Sequence, residues 1–157
     1  MKAEIEHFLH QLIEAQHQML AVLHQKQTLL IRPEKEAIAA ISIEEEKTLA
    51  NMQSILERRE ELLTTARLQN VPGETIEQLC EHFFPRNIEI HKLLNEIKHQ
   101  TQRVRLLAYT NWTMTRKSMI HLSQILELLE TRGQGSTTYH PQSNASTARG
   151  VSVDRIA

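Results

Sequence analysis

The sequence predicts an all-α protein, an elongated antiparallel bundle of three long helices and one short helix with a mobile C-terminal tail. Three observations predict this class. The 157 residues suffice for one domain with its own core. Apolar residues recur at intervals of three and four between the Pro and Gly positions. Aromatic residues make up only 4% of the chain, too few for a thick core of stacked sheets. We expect residues 1–132 to form the helical bundle and residues 133–157 the polar tail.

The first two helices each carry one apolar stripe. The first is predicted over residues 2–31, and Pro33 suits the first turn of the second, which runs to about Gln69. The stripe of the first helix consists of Ile5, Phe8, Leu9, Leu12, Ala15, Met19, Val22, Leu23, Leu29 and Leu30. The stripe of the second consists of Ile38, Ile41, Leu49, Met52, Ile55, Leu56, Leu62, Leu63 and Ala66. The run Glu44–Glu46 is expected on the outer, solvated face.

A turn at 70–73 precedes a short helix over about 75–84, for which Thr75 is the expected N-cap. The fourth helix is predicted from about Arg86 to Arg132, because this stretch contains no Gly or Pro. Its inward positions alternate in steps of four and three, as two long helices lying side by side require. We call these positions the α4 seam: Ile90, Leu94, Ile97, Thr101, Val104, Ala108, Asn111, Thr115, Ser118, Leu122, Ile125 and Leu129.

Composition and charge narrow the function. A formal net charge of −1 gives no electrostatic reason to expect nucleic acid or an anionic membrane as partner. No apolar run is long enough to span a membrane, and the N-terminus lacks the pattern of a signal peptide. Cys80 is the only cysteine, which fits a reducing compartment, and neighbouring Glu77 and Glu81 would raise its pKa. No catalytic motif is present, so we predict no enzyme activity and no cofactor.

Nine His residues and three Glu-x-x-His pairs raise the question of a metal site. The pairs are Glu4/His7, Glu14/His17 and Glu96/His99. Helical spacing puts them on the side opposite the apolar stripes, whereas a di-metal site needs them inside the bundle. We therefore interpret them as solvated surface and predict no metal.

The middle of the fourth helix is unusual in two ways. Arg103, Arg105, Arg116 and Lys117 make it basic, and we expect them to pair with acids of a neighbouring helix rather than bind RNA, because no aromatic platform interleaves them. The α4 seam also turns polar here, at Thr101, Asn111, Thr115 and Ser118, amid Tyr109, Trp112, Met114 and Met119. Two interpretations stay open: a buried Asn that fixes helix register, or a surface that accepts a partner helix.

The end of the chain resembles FlgN-type flagellar chaperones. The resemblance rests on Leu106–Trp112, the Leu- and Ile-rich stretch Met119–Leu129, Gly133, and Thr138–Gln142 with its Tyr. It covers about residues 93–142 closely and the whole chain loosely, and Ser143 stands where the family often has Gly. The resemblance implies a cytoplasmic export chaperone that binds the C-terminal helical segments of hook–filament junction proteins. It also implies delivery of these clients to the cytoplasmic domain of the flagellar export gate.

The resemblance further implies which residues act. The last helix carries client binding in the family, and matching positions here are Val104, Leu107, Asn111, Met114, Ser118, Met119, Leu122 and Ile125. Tyr139 matches the family Tyr that is associated with export-gate docking. Two other functions would use the same features: a structural coiled-coil adaptor or homodimer, and a metal-dependent bundle enzyme. A chaperone would self-associate weakly at most, whereas an obligate coiled coil would stay dimeric on dilution.

Overall fold

The computed structural model describes residues 1–134, and the side chains of residues 1–129. It contains the helices α1 (Lys2–Ile31), α2 (Lys35–Leu68), α3 (Ile76–Phe83) and α4 (Ile88–Gln134). No strand occurs in this part of the chain. The predicted class, three long helices and one short helix, is confirmed. Of the predicted tail, Gly133 and Gln134 belong to the end of α4, so the helix runs two residues further than expected. Residues 135–157 lie outside the described residues.

The start of α2 differs from the prediction. Pro33 was expected in its first turn, but the helix begins at Lys35 with Glu34 as N-cap in an extended conformation. Pro33 therefore lies in the connection that precedes the N-cap. The extended backbone of Glu34 does not permit the helix to start any earlier.

The ends of the other helices follow from local hydrogen bonding. Asn70, with φ of 53°, ends α2, and its N–H donates to Arg67 O while Val71 N–H donates to Ala66 O. This pair of bonds is a Schellman motif, for which Asn is one of the residues that adopts the left-handed conformation. The predicted cap of α3 is confirmed, since Thr75 Oγ1 accepts from Gln78 N at 3.2 Å. Asn87 caps α4 by accepting from the N–H groups of Glu89 and Ile90.

Side-chain contacts fix the helix directions within residues 1–120, which form the first of two compact units. Glu4 meets Arg58 and Lys26 meets Glu45, so α1 and α2 are antiparallel. Gln16 bonds to Thr101, and Leu23 bonds to Asn111 seven residues along α1 and ten along α4. This part of α4 is therefore parallel to α1 and antiparallel to α2, as an up–down–up bundle requires. The second unit comprises residues 121–157, of which the described part is the end of α4.

The core lies at one end of the first unit, where all four helices meet. Its buried cluster joins the first half of α1, the second half of α2, α3 and the start of α4. The cluster contains Ile5, Phe8, Leu9, Ala15, Ile55, Leu62, Leu63, Ala66, Ile76, Leu79, Cys80, Phe84, Ile90, Leu94 and Ile97. The predicted stripe of α1 is confirmed at its centre. The stripe of α2 is wrong at Ile38, Leu49 and Leu56, which are exposed.

Two polar details also differ from expectation. Glu45, expected with its neighbours on the outer face, is half-buried, and its carboxylate accepts from Lys26 Nζ at 2.6 and 2.8 Å. Its position faces α1, so an ion pair takes the place of an apolar contact. Thr48, which no apolar pattern could select, is buried and donates to Glu44 O. As for membranes, none of the described helices combines the length and apolarity that a bilayer crossing needs.

Candidate functional site

The α4 seam changes from buried to exposed along its length. Ile90, Leu94 and Ile97 are buried in the core cluster. Thr101 and Val104 are half-buried, and from Ser118 onward every described seam position is exposed. The exposure after Asn111 shows that intramolecular contacts cover the seam only in its first half. The second half presents apolar side chains that no other described residue covers.

The predicted client-binding residues follow this gradient. Val104, Leu107 and Met114 are half-buried, and Asn111 is buried. Ser118, Met119, Leu122 and Ile125 are exposed. The last two lie in the second unit, and the others lie in the first. Tyr139 lies outside the described residues. The structure thus brings the α4 candidates together on one helix but does not present them equally to solvent.

Asn111 lies in the interface between α1 and α4 and is only 2% exposed. Its Nδ2 donates to the carbonyl of Leu23 at 2.8 Å, while its Oδ1 has no hydrogen-bond partner. Gln16 has the same arrangement two turns earlier: its Nε2 donates to Thr101 Oγ1 at 2.8 Å and to Ile97 O at 3.3 Å, and its Oε1 is unpartnered. Two buried amides of this kind fix the register of one helix against the other, because any shift would strand their donors. This geometry favours the register interpretation of Asn111.

The basic residues of α4 do not pair with acids, contrary to expectation. Within the described residues none of the four makes an ion pair with a carboxylate. Arg103 donates to Gln100 Oε1 at 3.4 Å. The Arg116 guanidinium lies 5.3 Å from the Trp112 ring, whose centroid is 5.9 Å from that of Tyr109. The expectation failed because the opposite flank of α4 is not covered by an acidic helix.

Trp112, Tyr109 and Arg116 therefore form a stacked group on the solvent side of α4. Their spacing of three and four places them on one face, which differs from the face of buried Asn111. The sequence contained this signal, since Arg105 and Arg116 bracket Tyr109 and Trp112 at helical intervals. The prediction that no aromatic group interleaves the basic residues is wrong.

Exposed apolar side chains are concentrated on α4. In the first unit they are Leu106, Tyr109, Trp112, Met119 and Ile120. In the second unit they are Leu122, Ile125, Leu126, Leu128 and Leu129. Contiguous exposed apolar surface on a protein marks a site of interaction with another protein or a membrane. The exposed Leu and Ile residues belong to more than one face of the helix, so this segment offers a broad apolar surface.

The Glu-x-x-His residues lie on the surface, as predicted. All six are exposed, and the described residues contain no group of three or more His, Cys, Asp or Glu side chains that could hold a metal ion. His17 nevertheless reaches α4: its Nε2 is 3.2 Å from Gln100 Nε2 and 3.8 Å from Glu96 Oε1. Gln100, a buried residue that the sequence pattern missed, links the two helices here.

Cys80 is fully buried in the core cluster. Burial raises the pKa of its thiol from 9.0 to about 11, with smaller contributions from the carboxylates of Glu77 and Glu81. The predicted direction is confirmed, and burial is the larger cause. A thiol that is both buried and protonated near neutral pH is a packing residue rather than a nucleophile.

A helical bundle with buried register-fixing amides and an uncovered apolar helix defines a protein-binding helical protein. The family model of the FlgN protein matches residues 1–147. The chain belongs to this family, which is a family of flagellar export chaperones and not of enzymes. Comparison with curated proteins and with solved structures gave no match.

Proposed function

We propose that this protein is a cytoplasmic chaperone that binds the C-terminal helical segments of hook–filament junction proteins and delivers them to the flagellar export gate. The family supports the chaperone role, and the uncovered second half of the α4 seam carries the proposal for client binding. A client segment that is unfolded before export has apolar helix faces to bury, and an exposed apolar helix can bury them. Affinity then arises from apolar burial less the cost of ordering the client.

The proposed contacts are the α4 residues predicted from the sequence, with roles divided by exposure. Met119, Leu122 and Ile125 are placed to contact the client directly, and Ser118 lies among them. Val104, Leu107 and Met114 are half-buried and would contribute the part of their surface that α1 leaves open. Asn111 holds α4 in register through Leu23 and acts on the client through the position of the helix.

Calorimetric titration of the full chain with C-terminal segments of the junction proteins tests this function. We expect one-to-one binding at micromolar concentration or tighter, with a negative heat-capacity change from apolar burial. The variant Leu122→Gln/Ile125→Gln should weaken binding by about tenfold or more, because it removes apolar area from an exposed contact. Absence of heat with every junction segment would refute the chaperone assignment of clients.

The role of Tyr139 is a separate proposal that rests on its match to the family motif. Tyr139→Ala should leave client affinity unchanged and weaken binding of the loaded chaperone to the cytoplasmic domain of the export gate. Pull-down of this domain, with and without client, provides the measurement. Loss of client binding in the same variant would mean that the residue contacts the client instead.

The same exposed apolar face also suits a second copy of the chain, as in a structural coiled-coil adaptor. Sedimentation at decreasing protein concentration separates the two functions. A dimer that persists at nanomolar concentration would identify the exposed part of α4 as a permanent homodimer interface. Dissociation to monomers at micromolar concentration supports a surface that is kept available for a client.

A further inference from the structure

A line of seven-spaced residues on α2 loses its cover midway along the helix. Residues seven apart lie within about 20° of each other around a helix, so Leu49, Leu56 and Leu63 share one face. Leu63 is 2% exposed, whereas Leu56 and Leu49 are 52% and 53% exposed. Leu63 belongs to the core cluster together with Leu94 of α4. The line is therefore buried at the end near α3 and open toward the other end.

The contacts of α1 show which way this line faces. Lys26 lies around α1 between Val22, a residue beside Thr48 of α2, and Leu23, which accepts from Asn111 of α4. Glu45 of α2 pairs with Lys26, so the Glu45 side of α2 is the side turned toward α4. Leu49 follows Glu45 by four residues and Leu56 follows by eleven, which are helical repeats. The exposed leucines therefore lie on the α4 side of α2.

A matching line runs along α4. Lys98, Arg105, Trp112 and Met119 are seven apart, and Lys98 pairs with Glu77 of α3. Leu94 and Leu63 join Ile76, Leu79 and Cys80 of α3 in the core cluster. At this end of the bundle, α3 therefore contacts the lines of both α2 and α4. Beyond α3, Arg105, Ala108 and Trp112 are exposed, and Arg105 has no ion pair within the described residues.

We propose that the surface formed by Leu49 and Leu56 of α2 with Arg105, Ala108 and Trp112 of α4, the α2–α4 groove, binds an amphipathic helix of the client in continuation of α3. The inference rests on the proposed function and extends it to a wall of the site that lies on α2. The helix α3 shows the chemistry that fits: apolar residues turn inward, and Glu77 meets Lys98. The client helix accordingly turns an apolar stripe inward and places an acidic residue against Arg105.

Substitutions on two faces of α2 test this groove. Leu49→Gln/Leu56→Gln removes the groove leucines, and Ile43→Gln is the matched control, because Ile43 is 70% exposed on the far side of the same helix. Calorimetric titration with the junction-protein segment that binds the native chain gives the affinities. We expect the double variant to raise the Kd by about tenfold or more and the control to change it by less than about twofold. Circular dichroism verifies that each variant keeps its helix content.

The charge contact gives a second and independent readout. Arg105→Glu should weaken binding of the native client segment, and exchange of one acidic residue on the client for Lys should restore it. Such a compensating pair identifies a direct contact, which loss of affinity alone does not. Failure of every acidic position of the client to compensate would contradict the α3-like orientation.

The outcomes separate this inference from the function beneath it. If Leu122→Gln/Ile125→Gln weakens client binding and the α2 double variant does not, the chaperone function stands and the groove is not its site. If no junction segment binds the native chain, both are overturned. If the α2 double variant alters self-association in sedimentation and leaves client binding intact, the groove is an interface between copies and the inference is wrong.

Discussion

Asn111 combines a satisfied donor with an unsatisfied acceptor in the same buried amide, and this asymmetry decides what its replacement should do. Its Nδ2 holds Leu23 O, while Oδ1 has no partner. We expect Asn111→Leu to leave the melting temperature unchanged or raise it, because the loss of one hydrogen bond is offset by removal of an unpaired buried oxygen. The client affinity of the same variant shows whether register matters for binding. An unchanged affinity would restrict the residue to a role within the free protein.

The charged counterpart of this substitution should behave in the opposite way. Asn111→Asp places a carboxylate in the α1–α4 interface, where it faces the carbonyl of Leu23 and no cation. We expect the free energy of unfolding at pH 7 to fall by about 2 kcal/mol or more, with partial recovery at acidic pH, where the protonated carboxyl can donate to Leu23. Urea unfolding at two pH values measures both effects. A variant as stable as Asn111→Leu at pH 7 would show that water reaches this position.

Cys80 should make the stability of the protein depend on alkaline pH. Its pKa is raised from 9.0 to about 11 in the folded chain, chiefly by burial. Between these values the unfolded state has released the thiol proton and the folded state retains it, so stability falls as pH rises above about 9. We expect urea unfolding at pH 8 and pH 10 to show this loss. The Cys80→Ala variant should show a smaller loss over the same interval, and an identical loss in both proteins would assign it to other groups.

At the scale of helices, the start of α4 depends on one side chain. Asn87 Oδ1 accepts from two N–H groups that have no partner within the helix. Asn87→Ala should lower the free energy of unfolding by about 1 kcal/mol. Asn95→Ala, an exposed position inside the same helix, is the control, and it should be neutral or stabilising by about 0.5 kcal/mol. Equal effects of the two substitutions would mean that the cap does not contribute.

Most helices could be predicted from the sequence because their apolar spacing and their caps are local signals. The bounds of α1 and the N-cap of α3 are confirmed, and the error at Pro33 concerns two residues. The stripe of α2 could not be divided correctly, since Leu49, Leu56 and Leu63 follow the same period whether or not a neighbour covers them. Cover depends on α3, which ends after eight residues and leaves the rest of the line open.

The polar contacts between helices were the least predictable part of the site. Gln16, Gln100 and Thr48 are buried although nothing in a hydrophobic pattern selects them. Each is explained only by its partner on another helix or by a carbonyl one turn away, as with Gln16 and Thr101. The resemblance to the family located the candidate residues on α4 but could not indicate which of them are turned toward α1. Residues 135–157, including Tyr139, keep their sequence-based predictions.

At the scale of the whole molecule, the core at one end and the open apolar surface of α4 predict that the client stabilises the chaperone. A ligand that binds only the folded chain adds about 2.7 kcal/mol at a free concentration a hundredfold above its Kd. We therefore expect the melting temperature to rise with the concentration of a junction-protein segment. A scrambled segment of the same composition is the control. A fall in melting temperature with the native segment would mean that it binds the unfolded chain instead.

The seven-residue recurrence of Leu49 and Leu56, and of Arg105 and Trp112, permits one surface to serve several sequences. A helix that moves by seven residues along the groove, about 10 Å, meets the same order of apolar contacts again. Clients whose own heptads differ in length or starting point can therefore dock in alternative registers without a change in the chaperone. The buried amides of Gln16 and Asn111 hold α1 and α4 in one alignment, while the open groove tolerates more than one.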